Sequence, residues 1–433
     1  MKQVICILIL ALSWACASGG KAPVPVPPKD TLPVDAPVVT LIPAMEGLGG
    51  PGLWRQNMAL ADINGDGFID FICPPVRGTT QKPNIFLGDG KGGWRKWTEA
   101  RFPQLWLAYG AVDVADIDGN GLADIAIGCH NGNMNVLLQT EPGVFKEFRE
   151  GLPSAVDFTT RIVRLADVTG DGRPELLAVN ETLFHPDGQK SAKIRQVVLT
   201  VKDGRWTEIP ILPKGENLPQ TFGDALTVAD FNGDGRMDFA TASHLFHNKM
   251  ILFLNEPEGF VGTNIAALPD SSYIFGVAAA DIDGDGRPDL ACTATTLDNS
   301  KETAAKDKNL TMRSRVFLLL NRPEGWVLKD IVDRPEGVSR DHFLRMAAAD
   351  FDGNGRPDIV TVFTDGTLFM LLNQDGTRFA RARTPGWIKF GKASWVGTAD
   401  FNKDGTPDLA VSYGSEKYGG MLQAYLVKQT AAK

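Results

Sequence analysis

Seven short acidic stretches carry most of the chemistry that this sequence can do. The fullest is Asp281-Ile282-Asp283-Gly284-Asp285-Gly286-Arg287-Pro288-Asp289, with carboxylates at positions 1, 3, 5 and 9 and Gly at 6. Copies begin at Asp62, Asp116, Asp167, Asp230, Asp350 and Asp400. In a tight turn, alternate side chains point to one side, and position 7 adds a backbone carbonyl. Ca²⁺ takes six to eight hard oxygen ligands at adaptable geometry; Mg²⁺ suits such a loop less well, because it keeps several waters in a strict octahedron.

The expected ligands are Asp62, Asn64, Asp66 and Asp70 in the first loop, and Asp116, Asp118, Asn120 and Asp124 in the second. The third supplies Asp167, Thr169, Asp171 and Glu175, and the fourth Asp230, Asn232, Asp234 and Asp238. Asp281, Asp283, Asp285 and Asp289 serve the fifth, Asp350, Asp352, Asn354 and Asp358 the sixth, and Asp400, Asn402, Asp404 and Asp408 the seventh. An EF-hand is excluded. It needs a bidentate Glu at position 12 and flanking helices. Position 12 here is Cys73, Ile127, Ala178, Thr241, Cys292, Thr361 and Val411, all in strand-like runs. A single loop of this kind could be a metal-free Asx turn; seven in phase argue for up to seven structural Ca²⁺ ions. Four carboxylates make the fifth loop the expected tightest site. Thr169 and Glu175 weaken the third, and Lys403, where the other loops have Gly, weakens the seventh.

What positions the loops is a repeat of 50 to 69 residues, the length of one propeller blade. Each unit reads as a short strand ending in Ala, the loop, a second strand, a strongly apolar third strand such as Val316–Leu320, and a turn into a fourth strand opening on an aromatic. Ala61, Ala115, Ala166, Ala229, Ala280, Ala349 and Ala399 precede the loops, small side chains suited to the crowding near a propeller axis. The seventh unit lacks its fourth strand, and residues 37–43 form an unassigned strand-like run before the first loop. The expectation is an all-β, seven-bladed β-propeller of four-stranded antiparallel blades. Its closing blade is completed by the N-terminal strand, which removes an open edge.

At the N-terminus, Lys2 and the apolar run Val4–Leu12 read as an export signal over residues 1–15. Two processing sites compete. Ala15-Cys16-Ala17 offers small residues to an ordinary signal peptidase, and Ser13-Trp14-Ala15-Cys16 resembles a lipobox without its usual Leu. The Pro/Gly-rich residues 16–36 suit a tether, which favours lipidation at Cys16 and an outer-membrane or cell-surface location; a periplasmic or secreted form is the alternative. The propeller then occupies 37–433. Cys73, Cys129 and Cys292 read as buried thiols, with a Cys73–Cys129 disulfide unsupported. The formal charge of −8 is metal-site acidity, and with no concentrated basic stripe nucleic acid is excluded as a partner.

The loops, with the aromatic-Gly pairs Tyr109-Gly110, Phe222-Gly223 and Phe275-Gly276, resemble the FG-GAP/VCBS-repeat β-propeller family, similar in architecture to the integrin α-subunit propeller. The resemblance covers residues 37–428. It implies an extracellular binding or adhesion module, occasionally attached to an enzyme, with calcium loops on one face and blade-linking segments on the other. Fold alone does not give function.

On that other face the long links Asn180–Arg195, His244–Lys249 and Thr295–Arg315 are expected to carry specificity. Trp54, Trp106 and Tyr273 could stack on a sugar or grip a protein. His130, Glu181 and His244 share position 15 of successive repeats, with His342 expected nearby. Strand spacing sets equivalent positions on adjacent blades about 10 Å or more apart, so no catalytic residue is assigned. The leading expectation is a calcium-stabilised, membrane-tethered module that binds a glycan or an envelope protein. The alternatives are a polysaccharide lyase or hydrolase on the same scaffold, and a structural subunit of an envelope complex.

Overall fold

A computed structural model describes Leu32 and residues 35–429, apart from 50–53, 55–56, 76–81, 106–109, 131, 157, 182–195, 213–222, 224, 244–249, 266, 269–271, 298–311, 336–342, 391 and 416–418. The described residues form 29 strands and no helix. The strands make seven antiparallel sheets, each built around one acidic loop and numbered here as blades 1 to 7 after their loops. Blade 5 is the fullest, with strands Ser272–Ala280, Asp289–Leu297, Met312–Arg322 and Gly325–Pro335 in sequential order.

The ring closes as the sequence predicts. Blade 7 takes three strands from the C-terminal end (Ala393–Ala399, Asp408–Ser415 and Gly419–Lys428), and Thr40–Pro43 pairs antiparallel with the last of these, Leu41 opposite Val427. One sheet has an unforeseen fifth strand. Ile211–Leu212, leaving blade 3, runs parallel to the outer strand of blade 4, opposite Phe260 and Val261. The same device recurs in smaller form around the ring. The N–H at the aromatic opening the fourth strand is taken by a carbonyl from the incoming chain: Trp94 by Glu46, Phe145 by Arg101, Trp206 by Glu150 and Phe260 by Pro210. The start of the outer edge is thereby covered in these four blades, which blunts edge-to-edge pairing with other chains.

The core is shared between blades. Six apolar clusters hold side chains from facing sheets. Position 2 of every loop drives a side chain into one of them: Ile63, Ile117, Val168, Phe231, Ile282, Phe351 and Phe401 are all buried. The alanines before the loops pack here too; Ala61, Ala166, Ala229, Ala280, Ala349 and Ala399 lie partly buried against these clusters. A cavity of about 350 Å³ remains on the axis, lined by first strands including Ala59–Ala61, Val114, Thr227, Ala278, Ala347 and Thr398.

The glycine of the aromatic-Gly pair has a steric cause. A Cβ on Gly110 would stand 1.9 Å from the Gly128 carbonyl oxygen, and one on Gly223 2.2 Å from that of Ala242. The entering chain crosses the end of the second strand too closely for any side chain. Cys73, Cys129 and Cys292 are free, buried thiols, and burial pushes those of Cys73 and Cys292 well above the usual range.

Candidate functional site

The acidic loops fold on their own backbone. The position-1 carboxylate gathers amides from the far side of the turn. Asp62 Oδ1 accepts from Gly65 N and Asp66 N, and its Oδ2 from Gly67 N at 2.6 Å. The same set recurs on Asp116, Asp167, Asp230 and Asp350. Position 6 sits at φ between 81° and 87° in all seven loops, where Gly is the residue without a steric penalty.

Position 9 plays a second part. Its side chain is wholly buried in six loops, and each carboxylate ties the loop to the third strand. Asp358 Oδ2 accepts from Phe351 N at 2.8 Å and Oδ1 from Asn373 N at 2.7 Å. Asp70, Asp124, Asp238, Asp289 and Asp408 repeat the pair. Burial pushes these carboxyls up, to about 7 at Asp70, Asp358 and Asp408 and about 6 at Asp124, Asp238 and Asp289. Backbone hydrogen bonds oppose the rise, and neighbouring loop acids add to it.

The loops differ in ways that bear on a cation. Side-chain oxygens of Asp116, Asp118 and Asp124, of Asp281, Asp283 and Asp285, and of Asp350, Asp352 and Asp358 converge to within 4.8 Å of one another. In the first, fourth and seventh loops an Asn at position 3 donates to the Asp at position 5, as Asn64 does to Asp66 at 2.8 Å. The third loop uses the longer Glu175. Its Oε2 accepts from Val168 N and Thr169 N, and its Oε1 from the hydroxyls of Thr200 and Thr169. In the seventh loop Lys403 adopts a φ of 59° where the other six have Gly. Its ammonium does not turn into its own loop; it lies 4.6 Å from the centre of the Phe68 ring, across the closing joint.

These residues fit a hard divalent cation. A carboxylate oxygen has two lone pairs, and the backbone amides use only some of them. In the fifth loop Asp283 Oδ1 is buried with no hydrogen-bond partner, an oxygen that a cation would satisfy.

One set of residues escaped the sequence reading. At the end of the third strand a buried amide side chain clasps two blades. Asn373 Nδ2 donates to Ile282 O in blade 5 and to Pro357 O in its own loop. Asn321 joins Phe231 O and Pro288 O, Asn255 joins Val168 O and Met237 O, and Gln139 joins Ile63 O and Ala123 O. The signal was present as an Asn or Gln ending four of the seven apolar runs, as in Leu371-Leu372-Asn373, where it passes for the start of a turn.

On the opposite rim the structure corrects the expected separation of His130 and Glu181. They are in contact, His130 Nδ1 lying 2.8 Å from Glu181 Oε1. Arg161 Nε pairs with the other oxygen of Glu181 at 2.6 Å. Strand spacing alone predicted a gap because it ignored the chain entering blade 3. Thr160 bridges to Cys129, Arg161 O accepts from Ala111 N, and Glu181 N donates to Thr159 O, so this segment draws the two blade ends together. Trp54 is corrected as well. It is 4% exposed and packs edge-on to Phe86, in the core and not on an open ligand surface. Tyr273 is half-buried on the first strand of blade 5. Trp106, His244, His342 and Cys16 lie outside the described residues, as does most of each long link.

The family model described as the FG-GAP-like repeat matches residues 62–127, 118–178, 230–292 and 314–411, more than half of the chain. Integrin alpha-7 from Homo sapiens is 25% identical over 204 residues, 44% of this chain and 16% of the integrin. The match therefore involves under a fifth of that relative. Among solved structures, BBS1N, crystallised with ARL6DN and soaked with lead, aligns with a TM-score of 0.51 over 90% of this chain and 98% of that one, at 10% identity. At that identity the likeness concerns the fold. With seven in-register acidic loops on a closed ring of seven sheets, the chain belongs to the FG-GAP-like repeat family.

Proposed function

We propose that this chain is an exported, lipid-tethered, calcium-stabilised β-propeller that binds a glycan or an extracellular or envelope protein through the rim opposite its acidic loops. The observation that carries the reading is the contrast between rims. The loop rim repeats one hydrogen-bond pattern around the ring, as a structural element does. Among the described residues the opposite rim repeats little, and residues unique to one blade, such as Glu181, meet there. Specificity belongs where a rigid scaffold presents dissimilar segments. Calcium would be held by positions 1, 3, 5 and 9, and would offset the repulsion among buried carboxylates. Export and the anchor at Cys16 rest on the N-terminal apolar run and the Pro/Gly-rich segment.

A soluble form beginning at residue 37, screened on glycan arrays and by pull-down from envelope extracts, tests the binding part. Melting in chelator and in calcium tests the metal part; a ligand bound only to the native state raises the melting temperature. Identical melting curves would remove calcium from the proposal.

The contact between His130 and Glu181 favours one second reading, a polysaccharide-active enzyme. An imidazole held by a carboxylate is an arrangement for proton transfer. Turnover of a polysaccharide that disappears in His130→Ala would replace the binding reading; binding without turnover would dismiss the enzyme.

A further inference from the structure

Six of the seven loops carry three acids at positions 1, 3, 5 and 9, and the fifth carries four. Its extra charge arises because both position 3 (Asp283) and position 5 (Asp285) are carboxylates; in the other loops Asn or Thr takes one of these places. Two carboxylates so close repel each other unless a cation intervenes. One does. Arg322, the last residue of the third strand of blade 5, places its guanidinium between them, Nη1 at 2.6 Å from Asp285 Oδ2 and Nη2 on Asp283 Oδ2. Asp283 is 5% exposed and its other oxygen has no partner.

The corresponding residues elsewhere are Asp89, Thr140, Val201, Glu256, Gln374 and an exposed lysine, Lys428. In blade 4 Arg236 reaches Asp234 at 2.6 Å and Glu256 at 3.7 Å, but position 3 there is Asn232, so a single loop carboxylate is engaged. Among the described residues Arg322 alone bridges two loop carboxylates. One positive charge offsets the carboxylate that the fifth loop carries beyond the three of each other loop.

We propose that Arg322 is the internal counter-cation of the fifth loop, and that a divalent cation binds there by displacing it. The loop becomes an exchange site, weaker than its four carboxylates suggest, and cation binding releases a charged side chain at the blade 5 hairpin. The proposal rests on the reading that the acidic loops take calcium.

The test is terbium luminescence and calcium calorimetry on the purified full chain, comparing the wild type with Arg322→Gln, Arg322→Lys and Lys329→Gln. Lys329 is an exposed lysine on the fourth strand of the same blade, outside the loop, and controls for the change of net charge alone. In Arg322→Gln, one site should gain about tenfold or more in calcium affinity, since a unit charge at contact distance is removed. Arg322→Lys, which keeps the charge without the planar fork, should fall between, and Lys329→Gln should match the wild type. Arg322→Gln should also melt lower than the wild type in chelator, with the gap closing in calcium. Equal affinities in the wild type and Arg322→Gln, while other loops bind, would overturn the role of Arg322. No terbium signal from any form would overturn the calcium reading itself.

Discussion

Blade 3 carries two buried glutamates, one at the start of its second strand and one just past its end. Glu175 belongs to the acidic loop, and its described partners are Val168 N, Thr169 N and two threonine hydroxyls, all from the same blade. Glu181 lies at the far rim, held by Arg161 and by His130 of blade 2. Both are under a tenth exposed. The first is satisfied within its own blade, and one of its oxygens by backbone amides, which do not depend on sequence and which any repeat can supply. The second depends on two particular side chains, one from each blade end, meeting at one joint. A buried carboxylate solved with amides can be copied seven times; one solved with side chains from two blades marks a single place.

The comparison predicts unequal costs of truncation. Asp358→Ala removes the acceptor of two buried backbone donors, Phe351 N and Asn373 N. Each orphaned group costs about 1–3 kcal/mol, so a loss of about 3–5 kcal/mol is expected by denaturant unfolding. Glu181→Ala takes one carboxylate from Arg161 and His130, but both keep some contact with water, so about 1–3 kcal/mol is expected. Equal losses at the two positions would erase the distinction between rims.

Acidity sharpens it further. In chelator, the six position-9 aspartates titrate near 6 to 7 in the native protein, against about 4 in an unfolded chain. The native state then binds the extra protons. Their stabilising effect is complete below about pH 4 and is lost as the pH rises through 6 to 7. The melting temperature of the chelated protein should therefore fall by roughly 5 °C or more between about pH 5 and pH 8. Calcium should flatten the slope, because the cation favours the ionised carboxylates. A chelated protein that gains stability over this range would contradict the burial of these groups.

The amide clasp is the next effect in size. Asn373→Ala deletes the donor to Ile282 O and Pro357 O at the joint between blades 5 and 6. A loss of about 1–3 kcal/mol follows if the buried carbonyls find no substitute. The clasp also shows what was legible in the sequence. The ring, its closure by residues 37–43 and the glycine at position 6 follow from periodicity and turn chemistry, which can be read along the chain. Position 9 was legible as an acid but not as a buried tie to the third strand, because its partner stands 15 residues away in Asn373. The clasp, the Arg322 bridge and the meeting of His130 with Glu181 depend on which strand end faces which neighbour. The register between blades is set by packing, and no spacing along the chain encodes it. Trp54 misled for the same reason: turn residues flank it, yet the adjoining blade covers it.

The smallest effect separates the rims by salt. His130 is the more exposed partner of Glu181, with 29% of its side chain open to water. Arg161 remains when it is removed, so His130→Gln should cost under about 1 kcal/mol. Its value lies in the ionic-strength dependence. Interactions between charged side chains near the surface weaken as the Debye length shrinks, whereas amide-to-carboxylate bonds in the core are largely shielded from salt. Raising sodium chloride from about 0.05 M to about 1 M at pH 5.5 should lower wild-type stability more than that of His130→Gln, by a few tenths of a kcal/mol. The same comparison with Asn373→Ala should show no such difference, because that clasp joins uncharged groups. A salt response that ignores His130 but tracks Asn373 would mean that the far rim is held by something other than its charged side chains.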